Sequence, residues 1–183
     1  VRTRTGRTAA TALAGLVLAA GLTACAGAPG AAAVVDGREI PTSDLQDVIT
    51  EIGPLLGSAT TAQVLAVLVQ EPVVTQLAAE NGVGVSDDQA RSALEAALAS
   101  AGVTVDELSP ASLSVGRYLA AATALQGLPD GGAEAQEELL ARVAEQDLEV
   151  NPRFGAVDER GTVTAPTALP WLVAPEAAAP AAG

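Results

Sequence analysis

Residues 61 to 81 read TAQVLAVLVQEPVVTQLAAEN, a segment apolar almost all the way round a helix rather than along one face. A helix of that kind is stable only when other elements cover it, so the rest of the chain must supply amphipathic partners. The segment therefore dictates a helical layer wrapped around one central rod. Pro72 sits in its middle and cannot donate to the Leu68 carbonyl, so a kink or two abutting segments is expected. Asn81-Gly82 supplies the stop.

The partners can be read on both sides of this rod. PTSDLQDVITEIGPLLG begins a helix with a Ser43–Gln46 capping-box pattern and a stripe of Leu45, Val48, Ile49, Ile52, Leu55 and Leu56. Gly53-Pro54 should bend it or end it early. A third helix opens at Ser86, with Gln89 completing a second box, and carries Ala90, Leu94, Ala97, Leu98 and Ala101 on one face. Asp87 and Arg91 are spaced to pair along it. GVTVDELSP reads as a loop, and residues 111 to 127 as a fourth helix with Val115, Tyr118, Leu119, Ala122 and Leu125 inward. After the break at GLPDGG, residues 133 to 147 give a fifth helix with Leu139, Leu140 and Val143 inward and a Glu138–Arg142 pair outside.

The two ends of this helical run are not helical. AAAVVDGREI contains two short β-like pieces around Asp36-Gly37, a dipeptide suited to a type I′ turn. At the far end, residues 149 to 161 read EVNPRFGAVDERG, extended in pattern and broken by Pro152 and Gly155. Pairing the late strand with the early hairpin would tie the chain ends together. In that clasp Asp36 and Gly37 make the turn, and Pro152 lies at an edge or strand start because it cannot donate to a ladder. Phe154 covers the helices beside Gly155, and Arg153 points to solvent or to an acid. The expected fold is mainly α, with a small hairpin near the N-terminus paired to a C-terminal strand, over residues 33 to 163. Residues 164 to 183 form an Ala/Pro-rich tail whose composition disfavours order, apart from the apolar island Leu169 to Val173.

The first 24 residues read as an address. Arg2, Arg4 and Arg7 form a basic region, followed by a small and apolar run of about 13 residues, short of the roughly 20 that span a bilayer. Leu22, Thr23, Ala24 and Cys25 then resemble the bacterial lipobox. That resemblance implies diacylglycerol on Cys25 and cleavage before it. Two acyl chains suffice for stable anchoring, since each buried methylene contributes about 0.8 kcal/mol. The other reading is an ordinary secretory signal followed by a free or buried cysteine. Residues 25 to 32 are small and Gly/Pro-containing, a tether that would hold the domain near the extracytoplasmic face of the membrane.

Composition excludes most chemistry. The 183 residues hold no His, no Met, one Cys and three aromatics, which leaves no ordinary zinc site and no His-dependent nucleophile system. From residue 25 onward, 6 Arg stand against 22 acids, a net of −16, so phosphate backbones are repelled and nucleic acid is not an expected partner. No catalytic residues, cofactor or metal are expected, and no disulfide can form within the chain.

The order of elements carries a resemblance. AAVVDGREIPTSDL resembles the opening of the SurA/PrsA-type extracytoplasmic foldases, where an Asn/Asp-Gly hairpin leads into the first helix. VLAVLVQEPVVTQLAAENGVGVSDDQARSALEAAL resembles the next part of that SurA N-terminal domain, and VNPRFGAVD the segment closing it in actinobacterial lipoproteins. The resemblance covers most of residues 32 to 160 and implies a helical cradle for unfolded or envelope polypeptides. It does not carry over isomerase activity: a parvulin domain of about 90 residues has no room here, and its histidines are missing. Pro72 departs from the family's uninterrupted helix.

Two functions follow as expectations. One is a membrane-anchored holdase with Leu55, Leu56, Val64, Leu68 and Val73 lining its polypeptide-binding face, residues that an ordinary core would also require. The other is a structural or adaptor lipoprotein that binds one cell-envelope partner. The LPWLV island, with Leu169, Trp171 and Leu172, would either fold into the protein's own groove or pack on its side.

Overall fold

The computed structural model describes residues 29–129 and 131–166; the lipobox with Cys25, the proposed signal segment and the LPWLV island lie outside them. Its centre is the expected rod, here α2 (Thr61–Glu80), which runs unbroken through Pro72. It buries Val64, Leu65, Leu68, Val69, Val74, Leu77 and Ala78 among its neighbours. Among the described residues α2 alone is long and apolar enough to cross a membrane by length and composition, and half of that stretch is buried.

The helix is continuous at Pro72, so two abutting segments do not form, and polar groups surround the interrupted turn. The Leu68 carbonyl, which Pro72 cannot serve, lies 3.5 Å from Nη2 of Arg38. Thr75 Oγ1 donates to the Glu71 carbonyl at 2.8 Å and lies 3.1 Å from that of Pro72. An entry cap not foreseen from the sequence holds the start: Thr60 and Gln63 form a full capping box. At the exit Asn81 Nδ2 donates to the Leu77 carbonyl and Gly82 takes positive φ.

Four helices surround the rod: α1 (Thr42–Leu56), α3 (Asp87–Ser100), α4 (Pro110–Gln126) and α5 (Ala133–Glu145). α4 is the main partner of α2, α1 and α3 lean on α4, and α5 rests on α2. The Ser86–Gln89 box opens α3 as its spacing requires. The Ser43–Gln46 box does not form. α1 starts two residues earlier, with Pro41 as N-cap and no side-chain cap, and the Thr42 N–H donates instead to the Gly30 carbonyl at 2.8 Å. α1 also runs past Gly53-Pro54 to Leu56. The apolar stripes are narrower than their sequence suggests: Ile49, Leu119 and Leu140 are 46%, 51% and 56% exposed, and Ala97 and Ala101 are exposed too.

The chain ends meet as expected. β1 (Ala31–Val35) and β2 (Arg38–Pro41) form the hairpin, and β3 (Leu148–Val150) adds antiparallel to β1 with Val35 opposite Leu148 and Ala33 opposite Val150. Asp36 and Gly37 both hold positive φ, 50° and 77°, as a type I′ turn requires. β1 begins at Ala31, so Ala31 and Ala32 belong to the sheet and not to the tether. Both are buried.

The clasp differs in its later half. Pro152, Arg153 and Phe154 form a turn rather than a strand, and β4 (Ala156–Val157) and β5 (Val163–Thr164) make a second hairpin with Thr164 inside it. Asp36 and Asn151 hold the closure. The Asp147 N–H donates to Asp36 Oδ1 at 3.0 Å, and the Asn151 N–H donates to the Ala32 carbonyl at 2.9 Å. Phe154 packs against the main core as expected, and Arg153 is exposed with its guanidinium 5.8 Å from the Phe154 ring centre. Gly155 is buried where a Cβ would come within 2.8 Å of the Thr164 carbonyl.

Candidate functional site

The core is divided in two along α2. One cluster gathers the sheet, α1, the first half of α2 and parts of α3 and α4; the other gathers Val74, Leu77, Ala78, Ala121, Leu125 and Ala135. Four of the five residues singled out for polypeptide binding belong to the first. Val64 and Leu68 are 4% and 5% exposed inside it, Leu55 and Leu56 are half-buried against it, and Val73 is half-buried on α2. Val64 and Leu68 are therefore buried, while Leu55, Leu56 and Val73 keep part of their surface open to solvent. Tight packing of α1 and α4 on this half of the rod covers the face.

An opening lies over the second cluster. α4 and α5 each rest on α2 and are joined by the short connection from Gly127 to Gly132. Between them runs a groove of about 440 Å³, with Val74 as floor, Tyr118, Ala122 and Leu125 on one wall, and Ala135 and Leu139 on the other. Gln126 and Gln136 stand exposed along it. Its closed end is the connection, where Gly131 and Gly132 line it; its far end lies between Tyr118 and Leu139.

Helical spacing places two further residues at that far end. Leu119 is one turn before Ala122, and Leu140 is one turn after Gln136. They are the two most exposed large hydrophobics among the described residues. Single exposed leucines are unremarkable, but these two stand on the two helices that wall the groove. Tyr118 gives the wall a polar point: its hydroxyl lies 3.4 Å from Gln70 Oε1, and burial raises the phenol above its ordinary pKa. The groove can accept apolar side chains and offer amide groups to a peptide backbone.

Charged groups fix the walls. Arg117 donates through Nε to Glu71 at 2.7 Å, through Nη1 to Asp87 at 3.1 Å and through Nη2 to Ser114 at 2.8 Å. It joins α2, α3 and α4, and it takes the Asp87 that the sequence offered to Arg91. The expected Arg142–Glu138 pair is present at 2.8 Å, and Arg142 also reaches Glu80 at 2.7 Å, which pins α5 to the end of α2. Glu51 Oε2 accepts from both the N–H and the hydroxyl of Ser109 at 2.9 Å, binding α1 to the start of α4. Burial alone would raise Glu51, but the Ser109 N–H and the nearby Ser112 and Ser109 hydroxyls outweigh it and hold the carboxyl below its ordinary value. Among the described residues no group of three or more Cys, Asp or Glu is placed to hold a metal ion.

The described residues thus form a mainly α domain closed by a small sheet, with a groove between two helices that share a third. No protein-family model, curated protein or solved structure matches the chain.

Proposed function

We propose that this chain is a lipid-anchored extracytoplasmic protein whose helical domain binds extended apolar segments of unfolded or envelope polypeptides, without isomerase activity. The observation that carries the reading is the α4–α5 groove, an accessible channel lined by apolar side chains and two amides, with Leu119 and Leu140 exposed on the same two helices. Its elements follow the order in which the sequence resembles SurA/PrsA-type foldases, though the binding surface moves from the α1–α2 face to α4 and α5. Anchoring rests on the lipobox-like Leu22 to Cys25. Because β1 starts at Ala31, six residues from Cys25, the reach from the lipid is about 20 Å.

Suppression of aggregation tests the holdase reading. The chain from residue 26 onward, at several-fold molar excess, is expected to protect several unrelated unfolded proteins; protection of none rejects it. Metabolic labelling with a palmitate analogue is expected to mark the wild type and not Cys25→Ala.

The adaptor reading is favoured by one feature, the modest size of the groove, near the lower end of the 300–1,000 Å³ typical of ligand pockets. A panel of unrelated apolar peptides separates the two. Comparable affinities support the holdase, and binding of one sequence alone supports the adaptor.

A further inference from the structure

We propose that the α4–α5 groove is regulated by the chain's own Leu169 to Val173, with Trp171 and its flanking leucines as the resident apolar occupant. The proposal rests on the polypeptide-binding reading of that groove and adds an internal competitor to it.

Three observations converge. The groove is open and lined by apolar side chains together with Gln126, Gln136 and the Gly131-Gly132 backbone, and Leu119 and Leu140 are exposed on its two wall helices. The second β-hairpin abuts the C-terminal end of α5: a Cβ on Gly161 would come within 2.9 Å of the Val143 carbonyl, one helical turn beyond Leu139. The chain leaves the described region at residue 166, directly after that hairpin. From Thr164, the last residue held in β5, to Trp171 are seven residue steps, which extended chain can stretch to about 25 Å, while one helical turn rises only about 5.4 Å. Reach is therefore ample. The segment LPWLV is also the one cluster of large apolar residues after Pro166, and it holds the only Trp in the protein. A second copy or a foreign peptide would have to compete with a segment already tethered beside the groove's mouth.

Tethering has a quantitative consequence. A short linker gives an effective concentration in the millimolar range, so a segment with an intrinsic Kd of about 100 μM would hold the groove in roughly nine molecules of ten. An added peptide would then bind about tenfold more weakly to the wild type than to a chain whose own segment cannot compete.

The test uses the full chain from residue 26, with Leu169→Ser/Leu172→Ser as the tail variant and Ala122→Arg as the groove variant. Two readouts are followed: acrylamide quenching of the sole Trp, and affinity for a labelled synthetic peptide of residues 167 to 175. Trp171 in the wild type is expected to be protected from quenching, and both variants to restore quenching to the level in urea. The peptide is expected to bind the tail variant about tenfold more tightly than the wild type. Should Ala122→Arg disturb folding, judged by circular dichroism, the tail variant alone decides, since it alters no residue of the folded domain. Full quenching of wild-type Trp171, or equal peptide affinity in wild type and tail variant, overturns the proposal. Protection that grows with protein concentration assigns the segment to a second copy and overturns it as well. Unrelated apolar peptides that bind wild type and tail variant equally would leave the groove's function standing while removing its internal occupant. If no peptide binds the tail variant at all, the groove reading itself falls, and the occupant with it.

Discussion

Arg117 lies 2.7 Å from Glu71 on the turn of α2 that contains Pro72, so an ion pair braces the helix where its own ladder is interrupted. Glu71 is 8% exposed, and Arg117 also bonds Asp87 and Ser114. Burial by itself would lower the Arg117 pKa; the hydrogen bond and charge of Glu71, with Asp87, reverse that and raise it. The brace joins three helices through one side chain.

Removing one partner should cost more than removing both. Arg117→Met leaves a nearly buried carboxylate unpaired and is expected to destabilise by about 2–3 kcal/mol, below the 3–5 of fully buried pairs because Arg117 is partly solvated. Glu71→Leu combined with Arg117→Met should recover at least about half of that loss. Urea unfolding midpoints of the single and double variants measure it, and additive losses would show that the pair is not coupled.

Pro72→Ala restores an N–H that can donate to the Leu68 carbonyl and frees Arg38 from that role. Helix-interior proline ordinarily costs about 3 kcal/mol, but proline also limits the unfolded chain, and Arg38 already serves the carbonyl in part. A net gain of about 1 kcal/mol is therefore expected, read as a higher urea midpoint. A loss would mean that the present arrangement of polar groups around Pro72 is better than a regular turn.

These two cases also define what the sequence could disclose. Local rules read correctly wherever the partner is close in the chain: the Asp36-Gly37 turn, the Ser86–Gln89 box and the Glu138–Arg142 pair all form. They fail where a distant group competes. Ser43 is overruled by the Gly30 carbonyl, which fixes the start of α1 at Thr42, and Asp87 turns from Arg91 to Arg117. Periodicity identified the apolar faces of α4 and α5 but counted Leu119 and Leu140 as core. It says which side of a helix is apolar, not whether a neighbour covers it. That is why the candidate site was placed on Val64 and Leu68, which α1 and α4 enclose, and not on the groove. The Thr60–Gln63 box, by contrast, has a spacing the same local rule covers.

Glu51 links α1 to α4 in a pH-dependent way. Its folded-state pKa lies below the ordinary glutamate value of 4.5, so its contribution is fully present above about that pH and is lost as pH falls through the lower folded-state value. Glu51→Gln should therefore lower stability at neutral pH and flatten the acid limb of the stability curve. Thermal melts of wild type and variant at a series of pH values test this. Parallel curves would remove Glu51 from the acid transition.

Gly155 has no room for a side chain. A Cβ there meets the Thr164 carbonyl at 2.8 Å and Val163 Cγ1 at 2.9 Å, both on β5. Gly155→Ala should separate the second hairpin from the turn and destabilise by about 1–3 kcal/mol. Gly53→Ala meets nothing within 4 Å beyond its chain neighbours, but its gain in helix propensity is opposed by the clash of a Cβ with the following Pro54, so it should change stability by less than about 0.5 kcal/mol. Protease cleavage between residues 156 and 166 is expected to quicken in the first variant only.

The location of polypeptide binding can be decided with surface substitutions that spare the core. Leu119 and Leu140 are more than half exposed, so changing both to Lys should alter stability by less than about 0.5 kcal/mol each. If apolar segments enter the α4–α5 groove from its far end, the double variant loses two apolar contacts and should bind a model apolar peptide about five- to tenfold more weakly, close to 1.4 kcal/mol. Leu55→Lys/Leu56→Lys, on the half-buried end of α1, is the matching control for the α1–α2 face and should leave affinity unchanged in the folded fraction. Fluorescence anisotropy of a labelled peptide, with each variant's folded fraction fixed by circular dichroism, gives both numbers. The reverse pattern would return the binding face to α1 and α2 and leave the groove a packing feature of α5.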